Sequence, residues 1–113
     1  METSNLKLSQ DVEVTLEDIG SIIEEKPFYE YTAVEDGERV EFSIFAVDET
    51  SQGTELLVKF PDGITYSSGG IEYIGGSWVS PVLTAGESYT FIAENMLDVE
   101  QVIGIHMESI YPA

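Results

Sequence analysis

The sequence predicts an all-β domain, an antiparallel sandwich of eight or nine short strands. Three observations predict it. Apolar residues recur with period two along most of the chain, turn residues interrupt that alternation at short intervals, and no segment sustains a helical period. Alternation sends every second side chain to one face. Each run therefore has a dry side and a wet side, as a two-layer β fold requires.

The elements follow in order. Val12, Val14 and Leu16 alternate with Glu13, Thr15 and Glu17, a half-buried strand. Residues 18–27 are ambiguous: Ile19, Ile22 and Ile23 fit a helical turn or an edge segment, and Pro27 closes the stretch. Residues 28–34 read as strand, with Tyr29 and Tyr31 sharing a face. Glu35-Asp36-Gly37-Glu38 is a hairpin turn, because Asp-Gly accepts the positive φ of a tight turn. Val40, Phe42, Ile44 and Ala46 alternate with Glu41, Ser43, Phe45 and Val47; both faces become apolar towards the end, which predicts a central strand.

After a loop at residues 50–53, Leu56, Val58 and Phe60 form the next inward set, with Lys59 pointing out. Pro61-Asp62-Gly63 is a turn, Pro presetting φ. Residues 64–66 and 71–74 are short strands. Gly69-Gly70 and Gly75-Gly76 bracket the second, as bends or bulges of an edge strand. Trp78 and Val79 precede Pro81, and residues 84–87 turn again. Tyr89, Phe91 and Ala93 alternate with Thr90, Ile92 and Glu94; residues 96–100 fit a loop or a helical turn. Ile103, Ile105 and Met107 make the last strand, with Gly104, His106 and Glu108 on its other face.

At 113 residues the chain is one domain with one core, residues 11–113, preceded by a candidate flexible arm at residues 1–10. An apolar fraction of 42% supplies that core and argues against disorder. With no cysteine, disulfides and thiolate metal sites are excluded. Four basic residues against 22 acidic ones, a net charge of −18, exclude nucleic-acid binding and adhesion to anionic membranes. No apolar run has the length of a signal peptide or a spanning helix, so membrane insertion is not expected. The chain either works where it is made or is an excised piece of a longer secreted protein. The acidity fits three readings: salt adaptation, mimicry of nucleic-acid phosphates, and solubility of a concentrated or assembled protein. Sixteen Glu against six Asp, with eleven Ile and five Phe, disfavour the first.

Three motifs carry a family resemblance. Phe60-Pro61-Asp62-Gly63-Ile64-Thr65-Tyr66 resembles a Leu-Pro-x-Gly-Leu-x-Tyr run, Gly76-Ser77-Trp78 a Gly-x-Trp, and Leu83-Thr84-Ala85-Gly86-Glu87-Ser88 a Leu-x-x-Gly-x-Ser turn. In that order, over residues 35–108, the chain resembles the immunoglobulin-like "conserved repeat" domains of bacterial and archaeal surface proteins, a family of unknown molecular function. The chain departs where the family has Asn-x-Gly and this sequence has Asp48-Glu49-Thr50-Ser51-Gln52-Gly53, and where Val58 replaces an aspartate. The resemblance implies an immunoglobulin-like β-sandwich, a core Trp78, and no catalytic residue.

The chemistry-bearing residues point away from catalysis. A catalytic carboxylate pair needs one desolvated partner, yet Glu13, Glu41, Glu55 and Glu94 all fall on outward phases. His106 is the single histidine, faces away from Ile105 and Met107, and has no Gly-x-Ser-x-Gly partner. A lone histidine gives no zinc site, and no Asp-x-Asp-x-Asp-Gly loop is present. Weak divalent cation binding rests on Asp48 with Glu49, or Glu35 with Asp36. The glycine pairs lack the lysine and helix of a phosphate cradle. A Lys59–Asn95 isopeptide needs a buried lysine, and alternation turns Lys59 outward. Tyr29, Tyr31 and Tyr73 are the candidate partner contacts, although the face shared by Tyr29 and Tyr31 also suits packing on the second sheet.

No cofactor is implied. The expected function is a non-catalytic structural or adhesive module with protein partners, either itself or a capsid or surface scaffold. A surface-type domain without a secretion signal fits a virion, assembled in the cytoplasm, as a capsid-decorating or fibre-attaching protein. The alternatives are an excised repeat of a cell-surface or S-layer-like adhesin, an acidic inhibitor mimicking nucleic acid, and a carbohydrate-binding module.

Overall fold

A computed structural model describes residues 8–18 and 25–110. Those residues contain nine strands and no helix: β1 (Ser9–Leu16), β2 (Glu25–Thr32), β3 (Arg39–Ala46), β4 (Gly53–Lys59), β5 (Thr65–Ser67), β6 (Glu72–Tyr73), β7 (Ser77–Val79), β8 (Ser88–Glu94) and β9 (Gln101–Ile110). They form two antiparallel sheets packed as a sandwich. Sheet I has the order β1-β9-β3-β7; sheet II has the order β2-β8-β4-β5, with β6 also pairing with β4.

The pairings nest. β1 pairs with β9, β2 with β8, β3 with β7, and β4 with β5. The chain is thus a long two-stranded ribbon folded at the β4–β5 turn and rolled up, which adds the β3–β9 and β4–β8 pairings. Strands β1 to β4 alternate between the sheets, and so do β8 and β9, as in a double-Greek-key jelly roll. This is not the immunoglobulin order, in which the first two strands share one sheet with the fourth and fifth. The β-sandwich expectation holds at the level of two antiparallel sheets. Alternation fixes which side chains go inside, and it serves either topology equally; the partner of each strand is decided by contacts across the whole chain.

The core lies between the sheets. Phe42 of β3 meets Phe91 of β8 edge to face at 4.9 Å, and both are essentially unexposed. Burying each of these rings contributes about 2–3 kcal/mol. Trp78 stacks on Phe42 at 5.7 Å, packed against the core as expected. Ile103, Ile105 and Met107 of β9, the central partner of β1 and β3, are fully buried.

Polar clusters close the two ends. At one end Glu38 is completely buried beside Tyr31 and Ser109. At the other, the buried Gln101 amide accepts from Gln52 N–H (2.8 Å) and Gly53 N–H (3.1 Å) and donates to Gly53 O (2.7 Å) and Asn95 Oδ1 (3.0 Å). Asn95 donates in turn to Val99 O (2.8 Å) and Glu17 O (3.3 Å), tying the loop at residues 95–100 to the end of β1. That loop has no helical turn.

Two boundaries differ from the sequence reading. β2 begins at Glu25 and includes Pro27, because β2 is an edge strand and its register shifts between Pro27 and Tyr29. The extra residue there, Phe28, turns inward onto the core. The candidate arm is shorter than residues 1–10: Ser9 and Gln10 open β1, Leu8 is buried, and residues 1–7 lie outside the described residues. Ile19, Ile22 and Ile23 lie outside them too.

Candidate functional site

The short strands β5, β6 and β7 flank one side of the sandwich. β5 and β6 follow one another along the free edge of β4. Immediately after β6 the chain crosses to sheet I: Gly75 N–H donates to Ile44 O at 2.9 Å, and Ile44 N–H to Gly76 O at 3.0 Å. β7 then continues along β3.

Exposed apolar side chains are concentrated in this stretch of the chain. Ten large ones stand exposed among the described residues, and six of them, Ile64, Tyr66, Tyr73, Ile74, Val79 and Val82, fall within residues 64–82. The local sequence explains the exposure. Strands of two or three residues have one sheet neighbour and no room to turn a whole face inward. Tyr73 is the most exposed of the six, at 57%.

The three candidate partner tyrosines therefore separate. Tyr73 is on this surface. Tyr29 is half-buried and stacks on Phe91 at 6.1 Å. Tyr31 is a correction: it is buried, its ring lies 6.0 Å from that of Phe91, and its hydroxyl donates to Glu38. The face shared by Tyr29 and Tyr31 packs on the core.

Next to this surface, an open depression is lined by Phe60, Pro61, Asp62, Thr84, Glu87 and Tyr89. Phe60 joins the two, since its ring is 4.7 Å from that of Tyr66 and 4.8 Å from that of Tyr89.

The outer face of sheet I carries His106, opposite Asp11 on β1 and Ser43 on β3. Its Nδ1 bonds Asp11, and its Nε2 lies 3.0 Å from Glu108 Oε1. The hydrogen bonds to Glu108 and then Asp11 raise its pKa above the ordinary histidine value. Both ring nitrogens face carboxylates, so the doubly protonated ring satisfies both, and neither nitrogen is held as a base towards a nucleophile. Beside it, Phe45 covers Gly104 so closely that a Cβ there would lie 2.2 Å from a ring carbon.

Glu38 is the one fully buried carboxylate among the described residues. Glu13 is exposed and Glu41 half-buried. Glu94 stands between Glu25 and Glu55 in register, and its pKa is raised by partial burial first, then by Glu55 and Glu25. Glu38 accepts four hydrogen bonds: from the hydroxyls of Tyr31 and Ser109 (2.9 Å) and from Val34 N–H (2.8 Å) and Glu35 N–H (3.1 Å). These donors fill the acceptor sites of a carboxylate, so Glu38 ties the end of the sandwich together. The sequence did hold a signal for it: Glu38 is in phase with the inward set Val40, Phe42 and Ile44.

The loop acids serve the backbone, Asp48 within its own turn and Asp36 between two loops. Asp48 Oδ1 accepts from Thr50 N–H (2.8 Å) and Thr50 O–H (2.5 Å), which lowers the Asp48 pKa, the side-chain bond most. Asp36 Oδ1 accepts from Ala85 N–H at 3.0 Å. Among the described residues, no group of three or more His, Asp or Glu is arranged to hold a metal ion. Lys59 is exposed, away from the isopeptide geometry.

No protein-family model matches the chain, and a search of curated proteins finds no match.

Proposed function

We propose that the protein is a non-catalytic structural and interaction module, an accessory subunit of a virus particle, which docks on a protein scaffold through its β5–β7 side. The observation that carries this reading is the gathering of exposed apolar side chains at residues 64–82 on an otherwise strongly acidic molecule. An apolar stretch rimmed by charge is the usual character of a protein contact. The rolled ribbon supports it by holding that side on a rigid body tied at both ends by buried polar clusters. The particle setting is an analogy of fold, since jelly rolls serve in viral capsid domains as well as in lectins and cupins.

The test follows the natural protein through a density gradient of a lysate of its source. Co-migration with particles in fixed stoichiometry is the expected result. Migration with the cell envelope would move the docking surface to a surface-layer scaffold. A position at the top of the gradient, free or with one basic protein, would overturn the docking reading.

A further inference from the structure

We infer that the depression beside the β5–β7 side receives an arginine residue of the docking partner. This rests on the docking reading above and names the chemistry of the partner.

Two residues lining the depression are carboxylates on separate turns: Asp62 between β4 and β5, and Glu87 just before β8. Asp62 Oδ1 accepts Ile64 N–H at 2.9 Å, which orients the group and leaves the other oxygen unspent. Among the described residues nothing pairs with the Glu87 side chain, and no Lys or Arg pairs with either carboxylate. Lys59 is the neighbour of Phe60 in sequence, but it points to the outer face of sheet II, in register with Thr90 and Thr65.

The third component is aromatic. Phe60 lines the depression and remains partly exposed. A guanidinium is planar and weakly hydrated; it stacks on an aromatic face while its edges bond carboxylates. A lysine offers a point charge and no flat surface to stack. A neutral saccharide fits Phe60 but leaves two carboxylates uncompensated, on a chain of net charge −18.

The fourth component is a buried donor. Tyr89 also lines the depression, although it is only 2% exposed. Its hydroxyl accepts Thr84 N–H at 2.8 Å, and its own proton has no acceptor among the described residues. Buried donors are seldom left unused. A guanidinium has no acceptor to give it, whereas an arginine residue within a peptide brings a main-chain carbonyl. The depression thus matches an arginine residue in a chain, with its cation between Asp62 and Glu87 and its carbonyl towards Tyr89.

The experiment titrates the isotopically labelled full-length chain with N-acetyl-L-arginine amide, read by nuclear magnetic resonance. The uncharged isostere N-acetyl-L-citrulline amide is the control. The expected result is a saturable shift confined to resonances of Phe60, Asp62, Thr84, Glu87 and Tyr89, with citrulline binding about tenfold more weakly. Asp62→Asn and Glu87→Gln each weaken binding, while Glu13→Gln, on the outer face of sheet I, leaves it unchanged. Absence of a localised shift overturns the inference. So does equal binding of citrulline, a shift spread over Glu13 and Glu41 alike, or saturation of the same resonances by methyl glucoside but not by arginine. None of these outcomes touches the docking reading, which the gradient decides.

Discussion

Replacing Glu38 with alanine takes the acceptor away from four donors. The carboxylate is fully buried, and the four donors differ in what they lose. Val34 and Glu35 are exposed residues whose bonds to Glu38 are only part-buried, so their N–H groups lose less than the buried hydroxyls do. Tyr31 and Ser109 are only 8% and 5% exposed. Their hydroxyls lie 3.3 Å apart and compensate one another in part. A buried donor left unpaired costs about 1–3 kcal/mol, and the lost volume adds to it, so Glu38→Ala loses about 3–4 kcal/mol. That is a large share of the roughly 5–15 kcal/mol that holds a domain folded. In urea, with a slope near 1.5 kcal/mol per molar, the midpoint falls by about 2 M. Tyr31→Phe removes one donor while Ser109 keeps its bond to the same oxygen, and it loses about 1 kcal/mol. A loss below about 1 kcal/mol for Glu38→Ala refutes the assignment of this residue as the tie at that end of the sandwich.

Three further predictions concern the outer faces of the sheets. The raised pKa of His106 means that its contribution to stability is full below the unfolded value of about 6.5 and is lost as pH rises through the higher folded value. A proton-resonance titration should place its midpoint above 6.5, and Glu108→Gln should lower it more than Asp11→Asn. The raised pKa of Glu94 has the opposite sign for a carboxylate: its ionised form opposes folding at neutral pH. Glu94→Gln should therefore raise the urea midpoint at pH 7, and the gain should vanish below the unfolded pKa of about 4.3, where both variants are neutral. Gly104→Ala drives a Cβ into the Phe45 ring and should cost about 1–3 kcal/mol by thermal unfolding; in a Phe45→Ala background most of that cost should disappear.

The strands were legible because alternation is local. Val12, Val14 and Leu16, or Tyr89, Phe91 and Ala93, declare their buried face within seven residues or fewer. Gly37, with φ of 86°, marks its turn just as plainly. The order of the strands was not legible, because β1 pairs with a strand about ninety residues away and its pattern suits any apolar neighbour. The turn motifs behind the immunoglobulin-like resemblance describe bends at Asp62-Gly63 and Gly86, and such bends say nothing of which sheet the next strand joins. Part of the polar architecture was present in the phase. Glu38, Gln101 and Ser109 each fall on the inward phase of a flanking apolar set, yet their partners come from distant elements. Tyr31 shows the same limit: its face was read correctly as one shared with Tyr29, and only the packing on Phe91 decides that it points inside. Of the candidate site, Tyr73 was visible, but the exposed stretch around it depends on β5 and β6 pairing with β4 and on β7 pairing with β3.

The most direct test of the docking surface is amide hydrogen exchange, comparing the free protein with the protein bound to the scaffold it co-sediments with. Docking through the β5–β7 side slows exchange within residues 64–82 and in the adjoining turns at 60–63 and 84–87. Slowing along β1 and β9, with residues 64–82 unchanged, would contradict this by placing the interface on the His106 face.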